Sequence, residues 1–260
     1  MGFCDDVINL RARYKFIFQL LAGFVLYIYG VSIEGIKIPF IYTDIIDFGF
    51  LSLPFTLIWV IGITNAVNLI DGLDGLAAGI SAISSIALLT IFLTTSASLT
   101  AIIIAAALVG ATLGFLPFNF NPAKTFMGDV GSNFLGFTLA TISILGFAKG
   151  YALLAIVAPI LALGVPIFDT LFAMIRRFIN HKPMLHPDGG HIHHRLLKRG
   201  FNQKQAVLIL YTITSILCII AVVIVSADIY KLIILIIATI IFIVLAYINF
   251  RDSKKIKGDN

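Results

Sequence analysis

Uninterrupted apolar runs of bilayer length recur along this chain and restrict the folds it can adopt. A helix needs about 20 apolar residues to cross the hydrocarbon core of a membrane, where lipid offers no partners for backbone hydrogen bonds. Hydrophobic residues make up 60% of the 260 residues and charged residues 12%, whereas an ordinary soluble domain carries about 25% charge. The sequence therefore predicts an all-α, polytopic integral membrane protein.

Eight membrane spans are predicted from the apolar runs. Their approximate limits are 16–33, 51–67, 76–95, 99–118, 131–148, 151–175, 205–226 and 229–249. We therefore expect a helical bundle of about eight transmembrane helices, built as one domain over residues 1–260. The two cysteines, Cys4 and Cys218, indicate neither a disulfide framework nor a cysteine metal site.

The distribution of basic residues predicts which helix ends face the cytosol. If the spans alternate, residues 1–15, 68–75, 119–130, 176–204 and 250–260 lie on one side, and these segments hold 15 of the 18 Lys and Arg residues. Cytoplasmic loops are enriched in Lys and Arg. We therefore expect these loops on the cytoplasmic face, so that the net charge of +5 reflects topology rather than nucleic-acid binding.

Three polar segments interrupt the apolar sequence, and all three fall on the predicted cytoplasmic side. They are NAVNLIDGLDG (65–75), NFNPAKTFMGDVGS (119–132) and HPDGGHIHHRLLKRG (186–200). Carboxylates, amides and imidazoles are costly near lipid. Three such clusters between hydrophobic spans therefore predict one composite site.

The first two segments contain candidate ligands for a cation and a phosphate. Asn65, Asn68, Asp71 and Asp74 recur every three residues, which would place neighbours on adjacent faces of a helix. A capped turn between helices is the structural alternative, because Asn, Asp and Gly are ordinary turn residues. Asp129 begins a span whose first turn can receive a phosphate, and its carboxylate can bind Mg²⁺.

Aromatic and imidazole side chains supply further candidate contacts. Phe126 can stack on a base, with an interfacial aromatic residue as the structural alternative. His191, His193 and His194, followed by Arg195, favour an anion such as pyrophosphate. Zinc binding and attraction of a basic loop to anionic lipid are the alternatives for this segment.

Carboxylates outside these segments also require an explanation. Asp5 and Asp6 stand just before the first predicted span, where one can act as a base or both can help to hold a divalent cation. A solvated terminus is the alternative. Asp169 lies within the sixth predicted span, and its burial there would require a partner or a polar cavity.

The three segments resemble the motif set of the polyprenyl-phosphate N-acetylhexosamine-1-phosphate transferases, the superfamily that also contains the phospho-MurNAc-pentapeptide translocase. The order and spacing of NAVNLIDGLDGLAAG, NPAKTFMGDVGS and HPDGGHIHHRLLKRGF agree over essentially the whole chain. The HIHH form resembles the branch using UDP-GlcNAc or a related UDP-N-acetylhexosamine. The resemblance implies transfer of a sugar 1-phosphate from a UDP-N-acetylhexosamine to undecaprenyl phosphate, releasing UMP. This reaction would take place at the cytoplasmic face of the bacterial inner membrane.

The resemblance also implies a role for each candidate residue. Asp129 would bind Mg²⁺, for which Mn²⁺ can substitute, while Asp5 and Asp6 would position or deprotonate the lipid phosphate. His191, His193 and His194 would approach the diphosphate or the sugar. The implied substrate contacts are Arg13, Lys15, Asn68, Asp71, Asp74, Asn119, Phe126 and Arg195. A homodimer is a further expectation.

The sequence departs from the family pattern in two places. Arg13 replaces the first of two lysines that usually follow the acidic pair, and Lys15 fits the second. Family members have about eleven spans with the acidic pair after the third, so we expect this sequence, in which Asp5 stands close to Met1, to lack about three N-terminal helices.

Two other classes of membrane protein are the alternatives. A metal or proton transporter is suggested by Asp169 and by the third polar segment (186–200), which we call the histidine segment. The acidic residues, however, cluster at one face. A CDP-alcohol phosphotransferase is disfavoured because its Asp-Gly-x-x-Ala-Arg signature does not follow Asp71. The resemblance does not choose among teichoic acid, lipopolysaccharide O-antigen, arabinogalactan and capsule synthesis as the pathway.

Overall fold

The structure, a computed structural model, describes residues 2, 12–36, 46–95, 97–147, 154–179 and 191–226. The helices in these ranges are α1 (Ala12–Ile28), α2 (Ser52–Ile70), α3 (Leu76–Thr94), α4 (Leu99–Asn119), α5 (Gly128–Phe147), α6 (Leu154–Ala162), α7 (Gly164–Ile179), α8 (Ile192–Lys198) and α9 (Gln203–Ser226). Between α1 and α2, strands β1 (Gly35–Ile36) and β2 (Ile46–Asp47) pair antiparallel, and a 3-10 turn (Gly49–Leu51) leads into α2.

The helices match the predicted spans closely enough to confirm the all-α polytopic fold. Helices occupy the first seven predicted spans, and the eighth, 229–249, lies outside the described residues. Four helical stretches in the described ranges are long and apolar enough to cross a bilayer. They are Gly49–Ile70, Leu76–Thr94, Leu99–Asn119 and Gln203–Val225.

The sixth predicted span is wrong as a single helix, because it is divided into α6 and α7. Pro166 has no N–H to donate to the carbonyl of Ala162, four residues earlier. That carbonyl instead accepts hydrogen bonds from Ser84 Oγ of α3 at 2.5 Å and from Cys218 Sγ of α9 at 3.7 Å. Donors on neighbouring helices thus satisfy the interrupted backbone, and a new helix begins at Gly164.

Helix α3 forms the centre of the bundle. It packs against α4, α5 and α9, and its fully buried Phe92 lies in the same apolar cluster as Leu139 of α5. Helix α2 also packs against α5, so closely that a Cβ at Gly136 would lie 2.7 Å from Cα of Thr64. Small residues permit such close approach between membrane helices. This contact aligns the ends of α2 and α5 that carry the first two polar segments.

Candidate functional site

The described parts of the three polar segments meet at one end of the bundle. This end contains the start of α1, the α2–α3 and α4–α5 connections, helix α8 and the start of α9. The contacts that join these parts are Lys15 with Asp129, Asn68 with Asp129, Gly75 with Asn119, Asn121 with Gln203, and Gly72 with His193. The structure therefore brings together segments that lie far apart in the chain, as the sequence predicts.

Asp129 occupies the centre of this site, in the first turn of α5, where the helix dipole favours negative charge. Its Oδ2 pairs with Nζ of Lys15 at 2.7 Å, and its Oδ1 accepts a hydrogen bond from Nδ2 of Asn68 at 3.1 Å. The Asp129 side chain is still 32% exposed. A lysine, an amide and a carboxylate from three helices thus form a charged cluster that a ligand can reach.

Asp71 adds a second carboxylate near Asp129. It directly follows the last residue of α2, and burial together with the charge of Asp129 raises its pKa to about 6. A partly desolvated carboxylate that is repelled by the charge of another carboxylate is stabilised by a proton or by a nearby cation. The pair of Asp71 and Asp129 is therefore suited to binding a positively charged ligand.

The chemistry of these donors fits an oxygen-seeking cation such as Mg²⁺. Mg²⁺ typically takes one or two carboxylates and completes its shell with water and phosphate oxygens. Asp71 and Asp129 can supply the two carboxylates. Among the residues that the structure describes, no group of three or more His, Cys, Asp and Glu side chains is placed to hold a metal ion. A cation bound here would share its coordination with a ligand, which suits a phosphate-bearing substrate.

Asp74 and Asn119 join the first two polar segments to each other. Asn119 is 4% exposed, accepts a hydrogen bond from the Gly75 N–H at 3.1 Å and donates to the Thr125 carbonyl at 2.9 Å. Asp74 Oδ2 accepts from Asn121 Nδ2 at 2.9 Å and from the backbone N–H of residue 123 at 3.1 Å. Both side chains hold the α2–α3 and α4–α5 connections together, and their predicted contact with substrate stays a prediction.

A buried carboxylate fixes the start of α8, the helix that carries His193 and His194. Oδ2 of Asp169 lies 3.0 Å from Nδ1 of His191, and its Oδ1 accepts a hydrogen bond from the Ile192 N–H at 2.8 Å. The side chains of Asp169 and His191 are only 4% and 7% exposed. The partner that burial of Asp169 requires is therefore His191, which the sequence alone does not identify.

His193 connects the third polar segment, to which it belongs, with the first polar segment. Its ring stacks on that of His191, with centroids 5.9 Å apart and planes 5° apart, and its centroid is 4.2 Å from that of His194. A Cβ at Gly72 would lie 2.6 Å from Nε2 of His193. Burial, followed by the charge of His194, lowers the pKa of His193 to about 4. This imidazole is therefore neutral at physiological pH.

The remaining predicted residues lie nearer the surface. Phe126 is 75% exposed, Arg195 is exposed and His194 is half-buried. The guanidinium of Arg13 lies over the ring of Tyr14, 4.9 Å from its centroid. Their predicted contacts with substrate stay predictions. The two candidate carboxylates that lie outside the described residues are Asp5 and Asp6.

Tyr211 is not part of any motif recognisable in the sequence, yet it joins α9 to the start of α3. Its hydroxyl donates a hydrogen bond to the Gly75 carbonyl at 2.5 Å, and it occupies the space that a side chain at Gly79 would need. A tyrosine inside an apolar run carries no signal of such a contact. Its importance becomes visible only when the two helices are seen packed together.

Comparison with known proteins shows similarity over most of the chain. The sequence model described as "Glycosyl transferase family 4" matches residues 1–147. The "Probable undecaprenyl-phosphate N-acetylglucosaminyl 1-phosphate transferase" of Bacillus subtilis is 41% identical over 260 residues, which covers 99% of this chain and 72% of that protein.

Two further relatives cover somewhat less of the chain. The "Decaprenyl-phosphate N-acetylglucosaminephosphotransferase" of Mycolicibacterium smegmatis is 34% identical over 81% of this chain and 57% of its own length. The "Phospho-N-acetylmuramoyl-pentapeptide-transferase" of Halalkalibacterium halodurans is 35% identical over 82% of this chain and 66% of its own length.

Proposed function

Because this chain belongs to glycosyl transferase family 4, we propose that the protein transfers N-acetylglucosamine 1-phosphate from its UDP-linked form to undecaprenyl phosphate, releasing UMP. The names of the Bacillus and Mycolicibacterium relatives support a polyprenyl phosphate acceptor and an N-acetylglucosamine donor. The observation that carries the proposal is the accessible cluster of Lys15, Asn68 and Asp129, with Asp71 close to it.

In this proposal, Asp129 and Asp71 bind the divalent cation, which is Mg²⁺ or Mn²⁺. When bound, the cation offsets negative charge on the donor's diphosphate. The ammonium group of Lys15 can pair with a phosphate oxygen as well as with Asp129, because both are anionic oxygen acceptors. The α5 N-terminus adds further positive potential beside Asp129.

The histidine segment would contact the diphosphate or the sugar. Because His193 is neutral at physiological pH, it would act through hydrogen bonds rather than as a cation. Positive charge at this side of the site would come from the exposed Arg195. Charge neutralisation and hydrogen bonding by groups fixed in advance are the usual means of stabilising a phosphoryl-transfer transition state.

The acceptor side of the reaction would lie at the cytoplasmic surface of the bacterial plasma membrane. The basic residues of the predicted cytoplasmic loops support this orientation. Lipid-facing helices next to the polar end would let the phosphate of undecaprenyl phosphate approach while its chain stays in the bilayer. The product would begin a cell-envelope polysaccharide.

The test is transfer of label from radioactive UDP-GlcNAc into a lipid extract by membranes containing the protein. Transfer should require Mg²⁺ and undecaprenyl phosphate, and Asp129→Asn should abolish it. Asp47→Asn is the matched control, because Asp47 is exposed on β2, and within the described residues its carboxylate accepts a hydrogen bond only locally, from the Gly49 N–H at 2.8 Å. Absence of transfer from every UDP-N-acetylhexosamine tested, with folded protein in the membrane, would overturn the proposal.

The second candidate reaction is transfer of phospho-MurNAc-pentapeptide. It is favoured by the relative from Halalkalibacterium halodurans, which matches 82% of the chain. The two reactions differ only in the sugar nucleotide, so the same assay with UDP-MurNAc-pentapeptide separates them. We expect UDP-GlcNAc to be the better donor, because the Bacillus relative shows the higher identity over more of the chain.

A further inference from the structure

Three amide side chains meet inside the bundle, one each from α1, α2 and α5. Gln19 and Asn65 form a reciprocal pair, in which Asn65 Nδ2 donates to Gln19 Oε1 at 2.8 Å and Gln19 Nε2 donates to Asn65 Oδ1 at 3.2 Å. Gln19 Nε2 also donates to Asn133 Oδ1 at 3.2 Å. Gln19 is 6% exposed and Asn133 is 9% exposed. We call these three residues the amide layer.

The amide layer lies one helical turn further into the bundle than the charged cluster of Lys15, Asn68 and Asp129. The paired positions on each helix are Gln19 and Lys15 on α1, Asn65 and Asn68 on α2, and Asn133 and Asp129 on α5. Residues three or four apart share a face of a helix, and one turn rises about 5.4 Å. The same three helices therefore contribute one residue to each of two consecutive layers.

The hydrogen bonds of the amide layer leave its members little freedom. Asn65 Nδ2 donates additionally to the Ile61 carbonyl at 2.9 Å, and Asn133 Nδ2 donates to the carbonyl of Asp129 at 2.7 Å. Rotation or sliding of α1 would break its pairs with both other helices. Hydrogen bonds between side chains of neighbouring membrane helices contribute about 0.6 kcal/mol on average and up to about 1.7 kcal/mol, and here they favour one rotation of α1 against α2 and α5.

We propose that Gln19, Asn65 and Asn133 are positioning residues that set the relative rotation of α1, α2 and α5. Through this rotation they hold Lys15, Asn68 and Asp129 together as a site for a divalent cation and a diphosphate. The inference rests on the proposed function for the role of that site. None of the three amides needs to touch the substrate.

The test measures Mn²⁺ binding by electron paramagnetic resonance on purified protein in detergent, which does not depend on turnover. Gln19→Met keeps the length of the side chain but cannot form the hydrogen bonds. We expect Gln19→Met to raise the half-saturating Mn²⁺ concentration at least fivefold, and to raise the Mg²⁺ requirement for transfer in parallel. The matched control is Thr64→Val, because the buried Thr64 hydroxyl donates only within α2, to Val60, and it should change either value less than twofold.

The readout separates positioning from general stability. A residue that only stabilised the fold would lower the thermal unfolding midpoint and the folded fraction, and the folded molecules would bind Mn²⁺ as wild type does. That result for Gln19→Met would overturn the inference. If Gln19→Met does not fold, Asn133→Ala takes its place, since it leaves the Gln19–Asn65 pair intact. The same fivefold rise is expected, and an unchanged value would equally overturn the inference.

Failure of the proposed function would look different. Wild-type protein that binds Mn²⁺ but transfers no sugar phosphate would contradict the reaction, and the comparison of Gln19→Met with wild type could still be made. Wild-type protein that binds no Mn²⁺ would contradict both the cation site and the role assigned to the amide layer.

Discussion

Nδ1 of His191 lies 3.0 Å from Oδ2 of Asp169, and both side chains are almost completely buried. The second oxygen of Asp169 accepts the N–H of Ile192, so that one carboxylate fixes both the imidazole and the backbone at the start of α8. Because the carboxylate accepts from Nδ1–H, it selects the tautomer of a neutral His191. The broken helix that carries Asp169 thus determines where the histidine segment lies.

We expect Asp169→Ala to reduce transfer by about 10- to 100-fold, the range typical of removing a carboxylate that orients a metal-bound histidine, because Asp169 orients His191 in the same way. The change leaves two buried donors without an acceptor. Thr170→Val is the matched control, because among the described residues the buried Thr170 hydroxyl has no hydrogen-bond partner, so its loss should leave kcat unchanged and should not lower thermal stability. Equal losses of transfer activity in both variants would contradict the orienting role of Asp169. Steady-state kinetics and thermal unfolding of the two variants provide the comparison.

Gly72→Ala should displace His193, because the new Cβ would lie 2.6 Å from its Nε2. Such overpacking costs about 1 to 3 kcal/mol, so the unfolding midpoint and the transfer rate should both fall. Gly62→Ala on the exposed face of α2 is the control, since no atom of the described residues lies within 4 Å of its Cβ position. If Gly72→Ala and Gly62→Ala have the same unfolding midpoint and transfer rate, then Gly72 and His193 are not in close contact.

Cation binding should strengthen as the pH rises through about 6, the pKa of Asp71. Burial and the charge of Asp129 raise this pKa, so the protonated form of Asp71 dominates below that pH and opposes a cation. One pH unit below the pKa, only about one tenth of the carboxyl groups are ionised. Mn²⁺ affinity of the wild type should therefore weaken several-fold between pH 7 and pH 5.

Asp71→Asn provides the control for this pH dependence. The variant should bind Mn²⁺ more weakly at pH 7 than wild type does, and its affinity should change little between pH 5 and 7. A pH profile that persists unchanged in Asp71→Asn would assign the titration to a different group. The measurement is a Mn²⁺ titration of both proteins at several pH values, followed by electron paramagnetic resonance.

Asp74→Ala should destabilise the protein by about 2 to 4 kcal/mol, since it removes two hydrogen bonds to a charged acceptor. The backbone N–H of residue 123 loses this acceptor, and Asn121 Nδ2 keeps its bond to Gln203 Oε1 at 3.0 Å. A role in tying the loops together predicts a lower unfolding midpoint and faster hydrogen exchange at residue 123. A role in binding substrate alone predicts instead a raised KM for the sugar nucleotide with unchanged stability.

The sequence predicts the helices and the end of the bundle at which the polar segments meet. Both are determined by which parts of the chain face lipid and which face water. Apolar runs of sufficient length must span lipid, and the polar segments between them must face water. Asp129 is recognisable because it stands at the start of a span next to glycine. These are local features, and they do not depend on which helices are neighbours.

The contacts that support the site depend on neighbours, and the sequence does not reveal them. Gln19 and Asn133 are single amides within or beside apolar runs, and each becomes significant only beside the other. The division between α6 and α7 requires Ser84 to satisfy the Ala162 carbonyl. His191 is 22 residues away from Asp169 along the chain. In each case the missing information is tertiary packing.

The seating of Tyr211 against Gly79 has an evolutionary consequence. The hydroxyl fills the volume that any side chain at position 79 would need, so the two positions cannot vary independently. Homologues with alanine or a larger residue at 79 should carry a smaller residue than tyrosine at 211. In those proteins the carbonyl of residue 75 would keep its hydrogen bond from the N–H of residue 79 and lose the one from position 211, so two alignment columns are expected to change together.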